Sequence, residues 1–319
     1  MNTEAERKTL KKTQKRALAY CGIVFVILIW GIYPVIADDL LEFYSGGAFS
    51  FAGTLISAVA LTIICLPKLG RLDRSYFRVA IPTGFFVGLA NLLQKIGLRY
   101  TTPTLYAFLE NLSCVAVPLL LFLFIRKKPS LLTVAAGVLC LAGCFILSGA
   151  GSAGGLSFGR GEILCALAGI LYGVNIAATG VFAKKLDAML YVMVQMWAQA
   201  AVSGAALIAL DRITVGGVPI EKAVFSFSWR HLLPLAGLVL AISTLGWIIR
   251  TEALKYVSAA AVAVLMPFSS VVTGAVAVIA GKDAFSPALL IGGIVILAAS
   301  VLSGVADVKD SEAPPEKPR

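Results

Sequence analysis

The second half of this 319-residue chain repeats the first. Gly97-Leu98-Arg99-Tyr100, followed by Pro103, Ala107 and Leu147-Ser148-Gly149, recurs as Ala253-Leu254-Lys255-Tyr256, followed by Ser258, Ala263 and Leu302-Ser303-Gly304, at a spacing of about 156 residues. Upstream, Trp30-Gly31 has a counterpart in Tyr172-Gly173. Each copy contains five apolar segments. Five is odd, so if the segments span a bilayer the second copy must run through it in the opposite sense to the first.

Composition says that they do span. Apolar residues make up 59% of the chain and charged residues 14%, with a mean hydropathy of +0.91, where a soluble domain keeps roughly a quarter of its residues charged. The ten apolar segments cover residues 17–37, 48–66, 77–99, 104–125, 131–149, 161–182, 188–210, 232–252, 258–280 and 287–305. Each is long enough to cross roughly 30 Å of hydrocarbon. Backbone groups in lipid must be satisfied within the segment, which predicts helices. The expected fold is an all-α integral membrane protein of ten transmembrane helices in two inverted five-helix repeats, 17–149 and 161–305. A basic cytoplasmic segment (1–16) precedes them, a connector (150–160) joins them, and a disordered tail (306–319) follows. Gly84-x-x-x-Gly88 and Gly169-x-x-x-Gly173 read as sites of close helix approach.

The net charge of +10 is arranged for a membrane rather than for nucleic acid. With the amino terminus in the cytoplasm, 20 Lys and Arg residues fall inside and 7 outside. That bias places both termini in the cytoplasm and the chain in the plasma membrane. Val35-Ile36-Ala37 passes as a signal-peptide cleavage site, but about 21 apolar residues exceed a signal core of roughly 7–15, so the first segment is read as a retained helix. The six cysteines all lie in apolar segments and read as small packing residues. Gly155-Leu156-Ser157-Phe158-Gly159 matches a nucleophile elbow, but it sits between two membrane segments and His231 is the sole histidine. No metal, cofactor or enzymatic chemistry is expected.

Trp30-Gly31-Ile32-Tyr33-Pro34-Val35, Leu265-Met266-Pro267-Phe268 and the closing Gly292-Gly293 and Ser303-Gly304 make the chain similar to the drug/metabolite transporter superfamily, EamA type, over residues 17–305. The resemblance implies a secondary carrier working by alternating access, more often an exporter. Its central cavity would be lined by segments one, three, four, six, eight and nine, with five and ten at the edge. Relatives handle amino acids, amines, nucleotide-linked sugars and xenobiotics. Two positions depart from the pattern: the counterpart of Pro267 is Asn111, preceded by Glu110, and the connectors before the last segments read Arg126-Lys127-Lys128 and Gly281-Lys282-Asp283 in place of a glutamate.

An ionisable residue at membrane depth costs roughly 2.5–3.5 kcal/mol on insertion scales and points at a cavity or a partner. Glu110 lies about 10 Å into the fourth segment at ~1.5 Å per residue, with Tyr106 and Cys114 on its face and Asn111 beside it. Two readings of it stay open: a substrate or proton site with Lys95 as counter-ion, and a structural salt bridge with Lys95. Asn91 and Gln94 form a polar stripe whose repeat equivalents are Trp247 and Arg250. Trp30, Tyr33, Tyr106, Tyr172 and Trp247 supply aromatic faces, and Asn175 is polar on the sixth segment. Aromatic faces with one carboxylate suit an organic cation or the ammonium of a zwitterion. The expected substrate is therefore a small amine, amino acid or other cation or zwitterion, moved by a proton or other gradient through a monomer or homodimer. An anionic or nucleotide-sugar carrier is the alternative, which needs deep basic residues in both halves; Lys95 and Arg250 are the ones available. A membrane enzyme or scaffold would need no two-sided cavity. The topology predicts that a cysteine reporter within 38–46 or 215–225 labels only from outside and one within 184–187 only from inside; labelling of the last two loops from the same side would exclude the inverted arrangement.

Overall fold

The computed structural model describes residues 3–98, 100, 109–126, 128–147, 159–212, 214–215, 218–219, 222–282 and 285–312. They form α1 (Thr3–Leu41), α2 (Gly46–Cys65), a 3-10 turn (Leu66–Arg71), α3 (Arg74–Leu98), α4 (Ser113–Ile125), α5 (Leu131–Leu147), α6 (Arg160–Phe182) and α7 (Ala188–Arg212). A two-residue antiparallel pair follows, β1 (Thr214–Val215) with β2 (Val218–Pro219), then α8 (Trp229–Leu238), a π-helical segment (Val239–Thr244), α9 (Leu245–Ala253), α10 (Ala259–Leu265), α11 (Phe268–Ile279) and α12 (Pro287–Glu312). Eight helical stretches of the described residues are long and apolar enough to cross a membrane, and α4 and α5 are shorter apolar helices. Large apolar side chains such as Leu123 and Ile279 point outward, 72% and 86% exposed, as a lipid-facing surface requires. α1 begins well before residue 17, and α12 continues through 306–312, which the sequence left as tail.

Two segments are broken, and at matching places. The fourth turns at Asn111–Leu112, where the N–H groups of Cys114 and Val115 donate three residues back to the Asn111 and Leu112 carbonyls (3.0 and 3.1 Å). The ninth turns at Met266–Pro267, where Ser269 and Ser270 donate to the Met266 and Pro267 carbonyls (2.9 and 3.0 Å). Proline explains the second break, since its ring excludes the preceding carbonyl and it has no N–H to give. Asn111 stands at the first, and its Nδ2 donates to Ser270 Oγ (3.2 Å), so each break holds the other.

Small residues set the packing. α6 lies on the fourth segment because Gly169 leaves room for the Leu109 and Glu110 carbonyls and Gly173 for Ser113 and Ala116. α1 lies on α11 because Gly31 leaves room for Ser269 and Val272. Ser113 and Ala116 stand at the repeat spacing from Ser269 and Val272, and Gly31 corresponds to Gly173 by the Trp30/Tyr172 match, at a shorter spacing. Gly84 and Gly88 seat α3 on Gln195, Ala198, Gln199 and Val202 of α7. α2 also packs on α7, and α5 pairs with α12 where Gly143 and Gly292 meet backbone to backbone.

Polar contacts fasten the two ends of the bundle. At the end holding the α1 start, Asp307 accepts from Arg16 (2.5 Å), Tyr20 OH (2.7 Å) and the Ser258 N–H (3.2 Å). At that end too, Lys68 pairs with Asp187 (3.2 Å), which caps α7 by accepting from the Met189 and Leu190 N–H groups. Burial alone would raise the Asp187 carboxyl, but the Leu190 N–H and Lys68 hold it below the usual carboxylate range. At the opposite end Lys282 binds Asp39 (2.5 Å) and the Val35 carbonyl (2.9 Å). A Cβ at Gly292 would meet Leu147 N at 2.7 Å and the Gly143 carbonyl at 2.8 Å, whereas one at Gly237 would meet nothing within 4 Å. Gly292→Ala is thus expected to lower stability by about 1–3 kcal/mol and Gly237→Ala to leave it unchanged or raise it, read as Tm in detergent.

Candidate functional site

Residues from four helices meet around two matched contacts. α1 presents Trp30 to α9, where its ring lies 5.6 Å from that of Trp247 and 5.8 Å from the Arg250 guanidinium. α6 presents Tyr172 to α3, where its hydroxyl lies 2.6 Å from Asn91 Oδ1 and 2.9 Å from Gln94 Oε1. A phenol has one proton to give, so one of the two amides turns its NH2 group toward the oxygen. Trp247 and Arg250 are the repeat equivalents of Asn91 and Gln94, as Trp30 is of Tyr172. The same junction is thus built twice, once from indoles and a cation and once from a phenol and amides.

Buried hydrogen bonds extend from each. Arg250 Nη2 donates to Asn175 Oδ1 (2.6 Å), and Asn175 Nδ2 donates to the Thr83 carbonyl (3.2 Å). Thr83 Oγ1 lies 2.7 Å from Tyr191 OH, which also meets Thr179 Oγ1 (2.9 Å) and receives Gln195 Nε2 (3.2 Å). On the other side Asn91 Nδ2 donates to Gln199 Oε1 (3.2 Å). Interhelical hydrogen bonding is therefore the role of Thr179, Gln195 and Gln199. Sequence reading overlooked Thr83 and Tyr191, whose single hydroxyls give no periodic signal. Arg250, one of the two deep basic residues the sequence offered, is 2% exposed and belongs to the core. The available signal was its match to Gln94.

A cavity of about 60 Å³ lies between this cluster and the Lys282 end, lined by Tyr33, Phe49, Asn91, Lys95, Gln199 and Trp247 among others. Tyr33 meets Phe49 edge to face (6.5 Å), and the Lys95 ammonium stands 5.2 Å above the Phe49 ring. Trp247 is the floor, with the Arg250 guanidinium 4.2 Å beneath its ring. A larger cavity of about 210 Å³ lies at the opposite end against Arg16, Lys128, Lys255 and Asp307. It does not reach the cluster, and Arg16 and Lys255 are already paired with Asp307 and Glu252, so the smaller one is the better candidate.

Of the residues singled out in the sequence, Trp30, Asn91, Gln94, Tyr172, Asn175 and Trp247 come together, and Tyr33 and Lys95 join them through the cavity. Glu110 and Asn111 stand at the break of the fourth segment, on the side held by Gly169 and Ser270. Tyr106 and most of the Gly155–Gly159 motif lie outside the described residues. Among those described, no cluster of His, Cys, Asp or Glu is arranged to hold a metal ion. A Cβ at Gly246 would fall 2.1 Å from Trp30 Nε1. Gly246→Ala should therefore expel the indole, lowering Tm by an overpacking cost of about 1–3 kcal/mol and shifting tryptophan emission. Adding Trp30→Phe should restore most of the stability; a double mutant no better than the single would show the two positions to be independent.

Residues 17–149 match the EamA-like transporter family. An uncharacterized transporter of Archaeoglobus fulgidus is 29% identical over 167 residues, covering 51% of this chain and 49% of the relative. The uncharacterized transporter YvbV of Bacillus subtilis is 25% identical over 155 residues, covering 47% and 48%. The chain thus spans about half the length of the curated relatives it matches. A protein of known crystal structure is similar over 93% of this chain and 99% of its own, with a TM-score of 0.70 and 19% identity, which is a likeness of fold.

Proposed function

We propose that this chain, which over residues 17–149 matches the EamA-like transporter family, is a secondary transporter that moves a small polar metabolite by alternating access between its two halves. The observation that carries this reading is the pair of broken segments. Helices interrupted at corresponding positions of two halves are where carriers of inverted-repeat design place their sites, and here the breaks are 111–112 and 266–267, bonded to each other through Asn111 and Ser270. Ten membrane helices in two inverted repeats, 17–149 and 161–305, account for the doubled junction at Trp30 and Tyr172. They also account for the matched crossings of α1 on α11 and α6 on α4.

In this reading the charge asymmetry sets both termini in the cytoplasm and the membrane is the plasma membrane. The end clasped by Asp307 and Lys68 then faces inward, and the cavity lies on the outward side. Its volume is far below the roughly 300 Å³ at the lower limit of ligand pockets, so loading requires the halves to move. The direction is export, the protein works as a monomer or homodimer, and a proton taken up by Glu110 is the coupling ion. The aromatic rings and Glu110 favour a cation or the ammonium of a zwitterion.

Glu110→Gln tests this reading. If Glu110 carries charge for transport, the variant folds but loses gradient-driven flux in proteoliposomes, and adding Lys95→Met does not restore it. If Glu110 instead serves Lys95 structurally, the single variant loses about 3–5 kcal/mol, and the double variant regains folding and flux together. Robust flux in the double variant would remove Glu110 from the mechanism.

A further inference from the structure

Arg250 is among the largest fully buried side chains of the protein, and its surroundings do not neutralise it. Among the described residues its contacts are Asn175 Oδ1 and the faces of Trp30 and Trp247, and none is a carboxylate. Its Nε has no hydrogen-bond partner. The other ion pairs described in the structure, Arg16–Asp307, Lys68–Asp187, Lys255–Glu252 and Lys282–Asp39, all lie at the bundle ends. A buried charge left without a counter-charge is strongly destabilising, and at membrane depth it marks a functional position. The cost is bearable if an anion completes the site for part of the cycle.

We propose that Arg250 is the anchor for an acid group on the transported solute, and that the solute carries a single carboxylate. The proposal rests on the transporter reading and narrows it. A guanidinium presents a planar fork that matches a carboxylate with two parallel hydrogen bonds, and Nε is one prong of that fork. One guanidinium lies against Trp247, so a monoanion bound to it leaves that pair neutral, whereas a phosphate dianion would leave a charge behind. Trp247 is at once the floor of the cavity and the lid on Arg250, so the acid reaches the guanidinium when the indole swings aside. The matching junction, Tyr172 with Asn91 and Gln94, is uncharged and faces the rest of the solute. At this junction the two repeats have thus diverged into an acid-binding copy and a neutral polar copy, which orients an asymmetric solute.

The test uses the full chain in proteoliposomes and nanodiscs with a panel in which each amino acid is accompanied by its amide and its decarboxylated amine. Simple monocarboxylates accompanied by phosphate monoesters of similar size complete the panel. The expected result is that at least one acid is bound and carried by the wild type, with its amide and amine weaker by about tenfold or more. Arg250→Gln should erase that ratio in protein that remains monodisperse, and Arg250→Lys should keep part of it. An amide or phosphate ester handled as well as the acid by the wild type overturns the proposal, as does an Arg250→Gln variant that keeps the ratio. If Arg250→Gln does not fold, the wild-type ratio decides alone. Transport of amines without preference for acids removes the acid site and leaves the transporter; no binding or flux across the whole panel counts against both.

Discussion

A polar group at membrane depth has no water to bond, and everything central in this protein follows from how such groups are answered. Backbone amides are satisfied within helices, so the design problem passes to side chains and to the places where a helix is interrupted. Thr83, Asn175, Thr179, Tyr191 and Gln195 answer one another across α3, α6 and α7, and Asn91 answers Gln199 between α3 and α7. The broken fourth and ninth segments answer each other through Asn111 and Ser270. What stays unanswered is then informative, because in this environment it is expensive: among the described residues it includes the Arg250 Nε and Gln195 Oε1 and the hydroxyls of Ser50, Ser203 and Thr251.

The repeat gives those groups their positions twice over. Gly31 and Gly173 bring α1 and α6 onto the broken segments of opposite halves, and the residue before each glycine, Trp30 or Tyr172, is carried against the eighth or third segment. The backbone contact is kept in both copies because it depends on the missing Cβ. The side chains it delivers are free to differ, and they do: an indole beside Trp247 and Arg250 in one copy, a phenol beside Asn91 and Gln94 in the other. A fold that nearly repeats can in this way hold a ligand that does not.

Tight and loose packing are also divided between kinds of contact. The α5–α12 crossing at Gly143 and Gly292 is backbone against backbone and packs Cys140, Cys144 and Ile296 into a dry cluster, which suits a static edge. The bundle ends are held by exposed or half-exposed ion pairs such as Lys68–Asp187 and Lys282–Asp39, which contribute about 0–1 kcal/mol each and can exchange for water. The π-helical segment before α9 adds a local irregularity beside Ser57, where Thr244 Oγ1 lies 2.8 Å from Ser57 Oγ and 3.0 Å from the Val239 carbonyl. Such segments recur at functional positions in helices.

The sequence by itself determined the membrane class and the helical content, because hydropathy is a property of the chain and survives without coordinates, and it carries the internal repeat as a fixed spacing. It also placed Trp30, Asn91, Gln94, Tyr172, Asn175 and Trp247 among the candidates, since a polar or aromatic residue within an apolar run is conspicuous. Only the tertiary structure decided which of these touch, for contact depends on which helix faces which. It put Arg250 against Asn175, Trp30 and Trp247 in the core. It found the break at Asn111 that no proline announces, and it extended α12 through Asp307, whose partners Arg16 and Tyr20 stand nearly 300 residues away in the chain. Hydropathy records how much each residue dislikes the membrane; it does not record which partner, far off in sequence, makes that position tolerable.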